Sequence, residues 1–170
     1  MTSREYRRLE GAHREILDRH LREYPVKLGQ LAKELGVSIK VSTMSTGVSG
    51  QIMKEDGHYT IRVNRHEARE RQRFTIAHEL SHFFLHKAVI DSSPDGIKDN
   101  VLYRSGEPER IEYEANRLAA DIVMPMALVK KVLSEEFNGV VTEATIESLA
   151  ARFQVSKAAM EIRLSTFAET

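Results

Sequence analysis

Apolar positions recur along the chain with helical and alternating periods, and they divide it into helices and short extended runs. Residues 3–23 are rich in charge, with Tyr6, Leu9, Ile16 and Leu17 on one side, which predicts an amphipathic helix. Pro25 separates this stretch from residues 28–36, a short helix closed by Gly36. Three extended runs follow. Residues 37–41 alternate, while 48–53 and 58–63 flank Glu55-Asp56-Gly57, a hairpin signal. Antiparallel pairing of the three is the expectation. From about 66 to 87 the chain is apolar almost all round a helix, through Phe74, Ile76, Ala77, Leu80, Phe83, Phe84 and Leu85, which predicts burial. Residues 89–108 hold Pro94, Gly96, Gly106 and Pro108 and read as a long loop. A helix from 111 stops before Pro125, another covers about 126–136, and Asn138-Gly139 turns the chain. Two short helices follow at about 143–153 and 157–167, with Thr142 and Ser156 as expected N-caps. The expected class is α+β, mainly helical with a small three-stranded antiparallel sheet.

Length and composition narrow this picture. The 170 residues are most simply one domain, 1–170, with a core over 25–136 and a helical pair over 142–168 packed on it. Lys plus Arg number 25 and Asp plus Glu number 25, so no overall field draws the chain toward nucleic acid or a membrane surface. There is no cysteine, which leaves His, Asp and Glu as the good metal ligands. The polar start Met1-Thr-Ser-Arg-Glu is not a signal peptide, and no apolar run approaches bilayer length. A cytoplasmic location is therefore expected.

The buried helix carries the chemistry. His78-Glu79-Leu80-Ser81-His82 is an H-E-x-x-H run. Residues four apart share a helix face, so both imidazoles can grip one metal ion, and Glu79 lies close enough to reach a metal-bound water. Five residues with three fixed positions arise by chance, and an ordinary helix with its histidines at the wet edge is the competing reading. Burial weighs against that reading, because unpaired buried polar groups cost several kcal/mol.

A catalytic zinc usually has three protein ligands and an open position for water. In the helix that ends before Pro125, Glu112, Ala115, Asn116, Ala119 and Val123 share one face at spacings of three and four. The small residues on that face let it approach another helix closely. Glu112 is thus placed to be the third ligand, and Asn116, one turn on, to hold a ligand's orientation. Glu114 points nearly the opposite way, among Leu118 and Asp121, and is the less favoured carboxylate. Solvated helix charges are the plain alternative for both glutamates.

The run R-Q-R-F-T-I-A-H-E-L-S-H-F-F-L-H over 71–86, followed by E-Y-E-A-N-R-L-A-A-D-I-V-M-P over 112–125, resembles the ImmA/IrrE-type metallopeptidases. The upstream segment from Leu31 through Val48-Ser-Gly to Asn64 resembles them too, so the likeness spans about residues 25–165. Leu118 stands where Phe is more usual, and Ile122-Val123 where Leu-Leu is. The resemblance implies a gluzincin-like zinc endopeptidase with a zincin-like active-site helix and one Zn²⁺ per chain. His78 and His82 match the metal histidines, Glu79 the catalytic glutamate, and Glu112 the glutamate of the E-x-x-A-N pattern. It also implies a protein substrate, a helix-turn-helix repressor encoded nearby, often in a prophage or mobile element, whose cleavage relieves repression. Some members carry a further C-terminal sensory domain, for which this sequence leaves no length.

Tyr103, Arg104, Tyr113 and Arg117 are candidates to stabilise an oxyanion, and the sequence does not choose among them. His86, a turn beyond His82, could support a ligand, but a histidine at a helix C-terminus commonly just faces the dipole. The run 48–53 could align substrate as an edge strand. Residues 146–164 resemble a helix-turn-helix, L-A-x-x-F-x-V-S-x-x-A. From 141 to 170, however, Arg152, Lys157 and Arg163 face Glu143, Glu147, Glu161 and Glu169, a balance that argues against DNA. A non-catalytic, antitoxin-like protein-binding regulator on the same fold is the alternative function. Retention of Glu79 favours the enzyme, because a binding scaffold has no chemical need for a base. Nothing in the sequence bears on oligomeric state.

Overall fold

A computed structural model describes residues 2–100 and 109–167. Its elements are α1 (Arg4–Arg7), α2 (Gly11–His20), α3 (Leu28–Glu34), β1 (Val37–Ser42), β2 (Val48–Glu55) and β3 (His58–Asn64). They continue as α4 (Arg69–Leu85), α5 (Lys87–Asp91), β4 (Ile97–Asn100), α6 (Glu109–Val123), α7 (Met126–Phe137), α8 (Glu143–Phe153) and α9 (Lys157–Ser165). The class is α+β, as expected.

The sheet differs from expectation. It has four strands in the order β1-β3-β2-β4, with β1 parallel to β3 and both β3 and β4 antiparallel to β2. Asp56 and Gly57, at φ 51° and 80°, close the β2–β3 hairpin in left-handed conformation, a primed turn whose twist suits the strands. The fourth strand falls in the stretch read as loop. Ile97 is fully buried and pairs with Ile52, so one apolar side chain anchors a strand too short to show alternation. Gly96 enters it at φ 63°, where a Cβ would lie 1.9 Å from the Ile52 carbonyl oxygen, so only glycine fits. With β4 on one side of β2 and β3 on the other, β1 is left the free side of β3 and runs parallel to it. The same arrangement removes 48–53 as an edge strand: β2 is internal, and the edges are β1 and β4.

The long N-terminal helix expected over 3–23 is two helices. The chain turns between Arg8 and Glu10, which tucks Leu9 into the core and lets α1 lie along α6 while α2 packs elsewhere. There His13 of α2 meets the rings of Phe83 and Phe84 at 5.8 Å and 5.3 Å.

Helix α4 packs on β2 and β3 with one side and on α6 with another, which explains its nearly continuous apolar surface. Gly50 of β2 lets it sit close: a Cβ there would lie 2.5 Å from Thr75 Cγ2 and 3.7 Å from Glu79 Cγ. On α6, Ala115, Ala119 and Val123 are fully buried, the small face expected of a close helix contact. The terminal pair has the expected caps, since Thr142 Oγ1 accepts from Thr145 N–H and Ser156 Oγ from Ala159 N–H. Leu149, Phe153, Met160 and Leu164 join the core. Arg163 ties α9 back to α6, donating to the Met124 carbonyl at 3.0 Å and to Asp121 at 2.9 Å.

Candidate metal centre

His78, Glu79 and His82 are buried in the C-terminal half of α4, between the sheet and α6. Spacing by four sets the two histidine rings 4.7 Å apart and nearly perpendicular, with their Nε2 atoms 3.1 Å apart. Glu112, in the first turn of α6, closes the set. Its Oε2 lies 3.0 Å from His78 Nε2 and its Oε1 3.1 Å from His82 Nε2. The other ring nitrogens are engaged on the far side. His78 Nδ1 donates to Asn116 Oδ1 at 2.9 Å, and His82 Nδ1 meets His86 Nδ1 at 2.8 Å.

These residues fit a metal ion. With its Nδ1 proton given to Asn116, His78 turns its Nε2 toward a carboxylate oxygen at 3.0 Å. Two acceptors that close repel unless a proton or cation lies between them. Burial pushes His82 down to about 4, so its imidazole is neutral at neutral pH and its lone pair is available. Burial opposes ionisation of Glu112, but hydrogen bonds from His78 and His82 outweigh it and hold the carboxyl well below its usual range. Tetrahedral zinc, with bonds of about 2.0–2.1 Å, sets its ligand atoms roughly 3.3 Å apart. The two imidazole Nε2 atoms stand 3.1 Å apart, and each lies 3.0–3.1 Å from one of the two Glu112 oxygens, close to that spacing. His78, His82 and Glu112 thus form a group able to hold a metal.

Glu79 is fully buried, and neither carboxyl oxygen has a hydrogen-bond partner among the described residues. Burial first, then Asp99 and Glu112, push its pKa well above the usual carboxylate range. A desolvated carboxylate with no competing donor is a strong base for a nearby water proton. Asp99 on β4 belongs to the same constellation, as His78, Glu79 and Asp99 offer ligand atoms within 4.8 Å of one another. Sequence reasoning missed Asp99, because its strand was read as loop.

A cleft of about 320 Å³ opens on this group, lined by Arg71, Phe74, His78, Asp99, Glu112, Tyr113 and Asn116. Of the four residues considered for an oxyanion, Tyr113 lines the cleft. Arg117 does not; its guanidinium instead donates to Glu5 Oε1 at 3.0 Å and 2.7 Å. Tyr103 and Arg104 lie outside the described residues.

Glu114 and His86 are neither solvated charges nor idle. Glu114 is buried and pairs with Arg8, with Arg110 at 3.5 Å and with His86 Nε2 at 3.6 Å. His86 ends α4 and links that carboxylate to His82. A buried carboxylate on the far face of α6 was not legible, because its main partner Arg8 is 106 residues away in sequence.

Two buried histidines and a half-buried glutamate on facing helices, with an unpartnered buried glutamate beside them, mark a metallopeptidase-type fold. The chain belongs to the peptidase family whose model is described as IrrE N-terminal-like domain (Peptidase_M78), which matches residues 32–165. Among solved structures it is similar to a Mycobacterium tuberculosis transcriptional regulator, at 16% identity and a TM-score of 0.58. That likeness covers 92% of this chain and 48% of the other, so the chain spans about half of that regulator's length, and at this identity it speaks for the fold alone. A search of curated protein sequences finds no match. No helix among the described residues is long and apolar enough to cross a membrane.

Proposed function

We propose that this chain is a zinc-dependent endopeptidase whose substrate is a protein, in the first instance a helix-turn-helix repressor cut to relieve repression. The observation that carries the reading is the convergence of His78, His82 and Glu112 beside a buried, unpartnered Glu79, with His78 and Glu112 lining an adjoining cleft. Zinc held by those three residues would supply Lewis acidity, polarising the scissile carbonyl and lowering the pKa of water toward about 7. Glu79 then takes the water's proton as general base and passes it to the leaving amine. Asn116, through His78 Nδ1, keeps that imidazole turned to the ligand side. Tyr113, exposed at the cleft wall, is the described side chain best placed to donate to an oxyanion. The edge of β4, unpaired among the described residues, brings Asp99 to the cleft and gives an extended substrate a strand to lie against.

Direct DNA binding finds little support. Each basic residue of the terminal pair already faces a carboxylate: Arg152 meets Glu136, Lys157 meets Glu143 and Glu147, and Arg163 meets Asp121. The repressor as substrate rests on the family resemblance.

Glu79→Gln tests the mechanism. It should bind zinc as well as the parent and lose cleavage of a coexpressed repressor by several orders of magnitude. Cleavage at the parent rate would sink the mechanism, and a purified chain without affinity for added zinc would sink the site.

A further inference from the structure

Beside the cleft lies a larger apolar groove of about 570 Å³. It is lined by Ala120 of α6, Met124 just past that helix, Ala159 and Ile162 of α9, and Phe167. Ile162 is 68% exposed and Tyr113 58% exposed, so two of the large apolar side chains left in solvent flank this one depression. Isolated exposed apolar residues need no explanation, but a concave apolar surface rimmed by them marks a binding site. The groove is continuous with the cleft, because Phe74, Tyr113 and Asn116 line both.

We propose that this groove seats an extended segment of the protein substrate next to the scissile bond, and that it selects bulky apolar side chains two residues apart. The proposal rests on the peptidase reading above and names the substrate feature that reading leaves open. Length supports an extended occupant. From Asn116 to Met124, whose amide still bonds back to Ala120 just past the end of α6, this wall rises about 12 Å, at roughly 1.5 Å per residue. An extended chain covers that distance in about four residues, and its period of two turns every second side chain toward the same wall. A second copy of this chain seated here would cover Phe74, Tyr113 and Asn116 and close the cleft, which disfavours a self-interface.

Binding is best read on the full-length, zinc-loaded Glu79→Gln protein, where no turnover interferes. The probes are two fluorescein-labelled decapeptides, identical except that one carries Leu-Ala-Leu where its twin carries Ser-Ala-Ser. By fluorescence anisotropy the leucine peptide should bind at least about tenfold more tightly, since burying even part of two leucines suffices for that ratio. Adding Ile162→Asp should erase the difference, while Val141→Asp, at another exposed apolar position, should preserve it. Ile162 is too exposed for the charge to unfold the chain. Equal binding of the twins, or a preference that survives Ile162→Asp, would overturn the proposal. So would a concentration-dependent dimer in sedimentation that Ile162→Asp makes monomeric. Equal binding of the twins by a chain with Ile162 intact, where Glu79 is required for cleavage in the parent, defeats the groove alone. A preserved preference in a chain that never cleaves defeats the peptidase reading alone.

Discussion

At His78 the orientation of the imidazole depends on one partner. Asn116 Oδ1 can only accept, so the 2.9 Å contact fixes a proton on Nδ1 and leaves Nε2 facing Glu112 and His82. Asn116 is itself on the exposed side of α6, so removing its amide leaves little to collapse. Asn116→Ala should therefore weaken zinc binding about 10- to 100-fold, with folding stability changed by less than about 0.5 kcal/mol. Competition with a chromogenic chelator measures the first and urea denaturation the second. Undiminished zinc affinity would show that packing, and not this hydrogen bond, holds the ring. His82 is held differently, through His86 to a buried Glu114, so the two histidines are oriented from opposite sides of the site.

At the scale of elements, α1 is a helix of four residues, far too short to form alone. It is held to α6 by polar ties: the Ser3 amide donates to Asp121 at 3.0 Å, Arg117 donates to the buried Glu5, and Arg8 pairs with Glu114. Burial works against ionisation of Glu5, but the Arg117 hydrogen bonds outweigh it and keep the carboxyl below its usual range. Arg117→Ala would strand that buried carboxylate. It should cost about 1–3 kcal/mol in urea denaturation and leave zinc affinity intact, with Arg117→Lys recovering part of the loss. A stable Arg117→Ala protein that binds zinc but no longer cleaves would return Arg117 to the chemistry. The same contrast explains what the sequence made legible. Glu112 and Asn116 were readable because spacings of three and four project one helix face, and the hairpin was readable because Asp56-Gly57 demands its own turn. The break between α1 and α2, the parallel pairing of β1 and the strand bearing Asp99 depend on partners far along the chain. Local periodicity holds no trace of them. Ile97 is the one apolar side chain β4 contributes to the core, and its pairing with Ile52 shows only in three dimensions.

For the whole molecule, the site is a set of acid–base groups buried in forms that the unfolded chain does not share, so stability must follow pH. In the metal-free protein His82 accepts a proton only near pH 4, whereas unfolded it does so at its ordinary 6.5. Between those values the unfolded state binds more protons, so His82 withdraws stability as pH falls from about 6.5 to 4 and is neutral in effect above that window. At 1.36 kcal/mol per pKa unit the loss approaches about 3 kcal/mol as an upper bound. Glu112, depressed in the fold, adds to the same trend at the acid end, withdrawing stability as pH drops below the ordinary 4.5. Glu79 runs the other way: with its pKa raised, it is protonated in the fold and costs stability as pH rises through 4.5 toward its elevated value. The two slopes overlap, and Glu79→Gln separates them by removing the rising cost. Urea denaturation of metal-free Glu79→Gln should show stability climbing steadily from pH 4.5 to 6.5 and levelling above. The parent should climb less steeply over the same range. A flat profile in Glu79→Gln would mean that His82 is not buried neutral, and with it would go the case for an imidazole held ready for a metal.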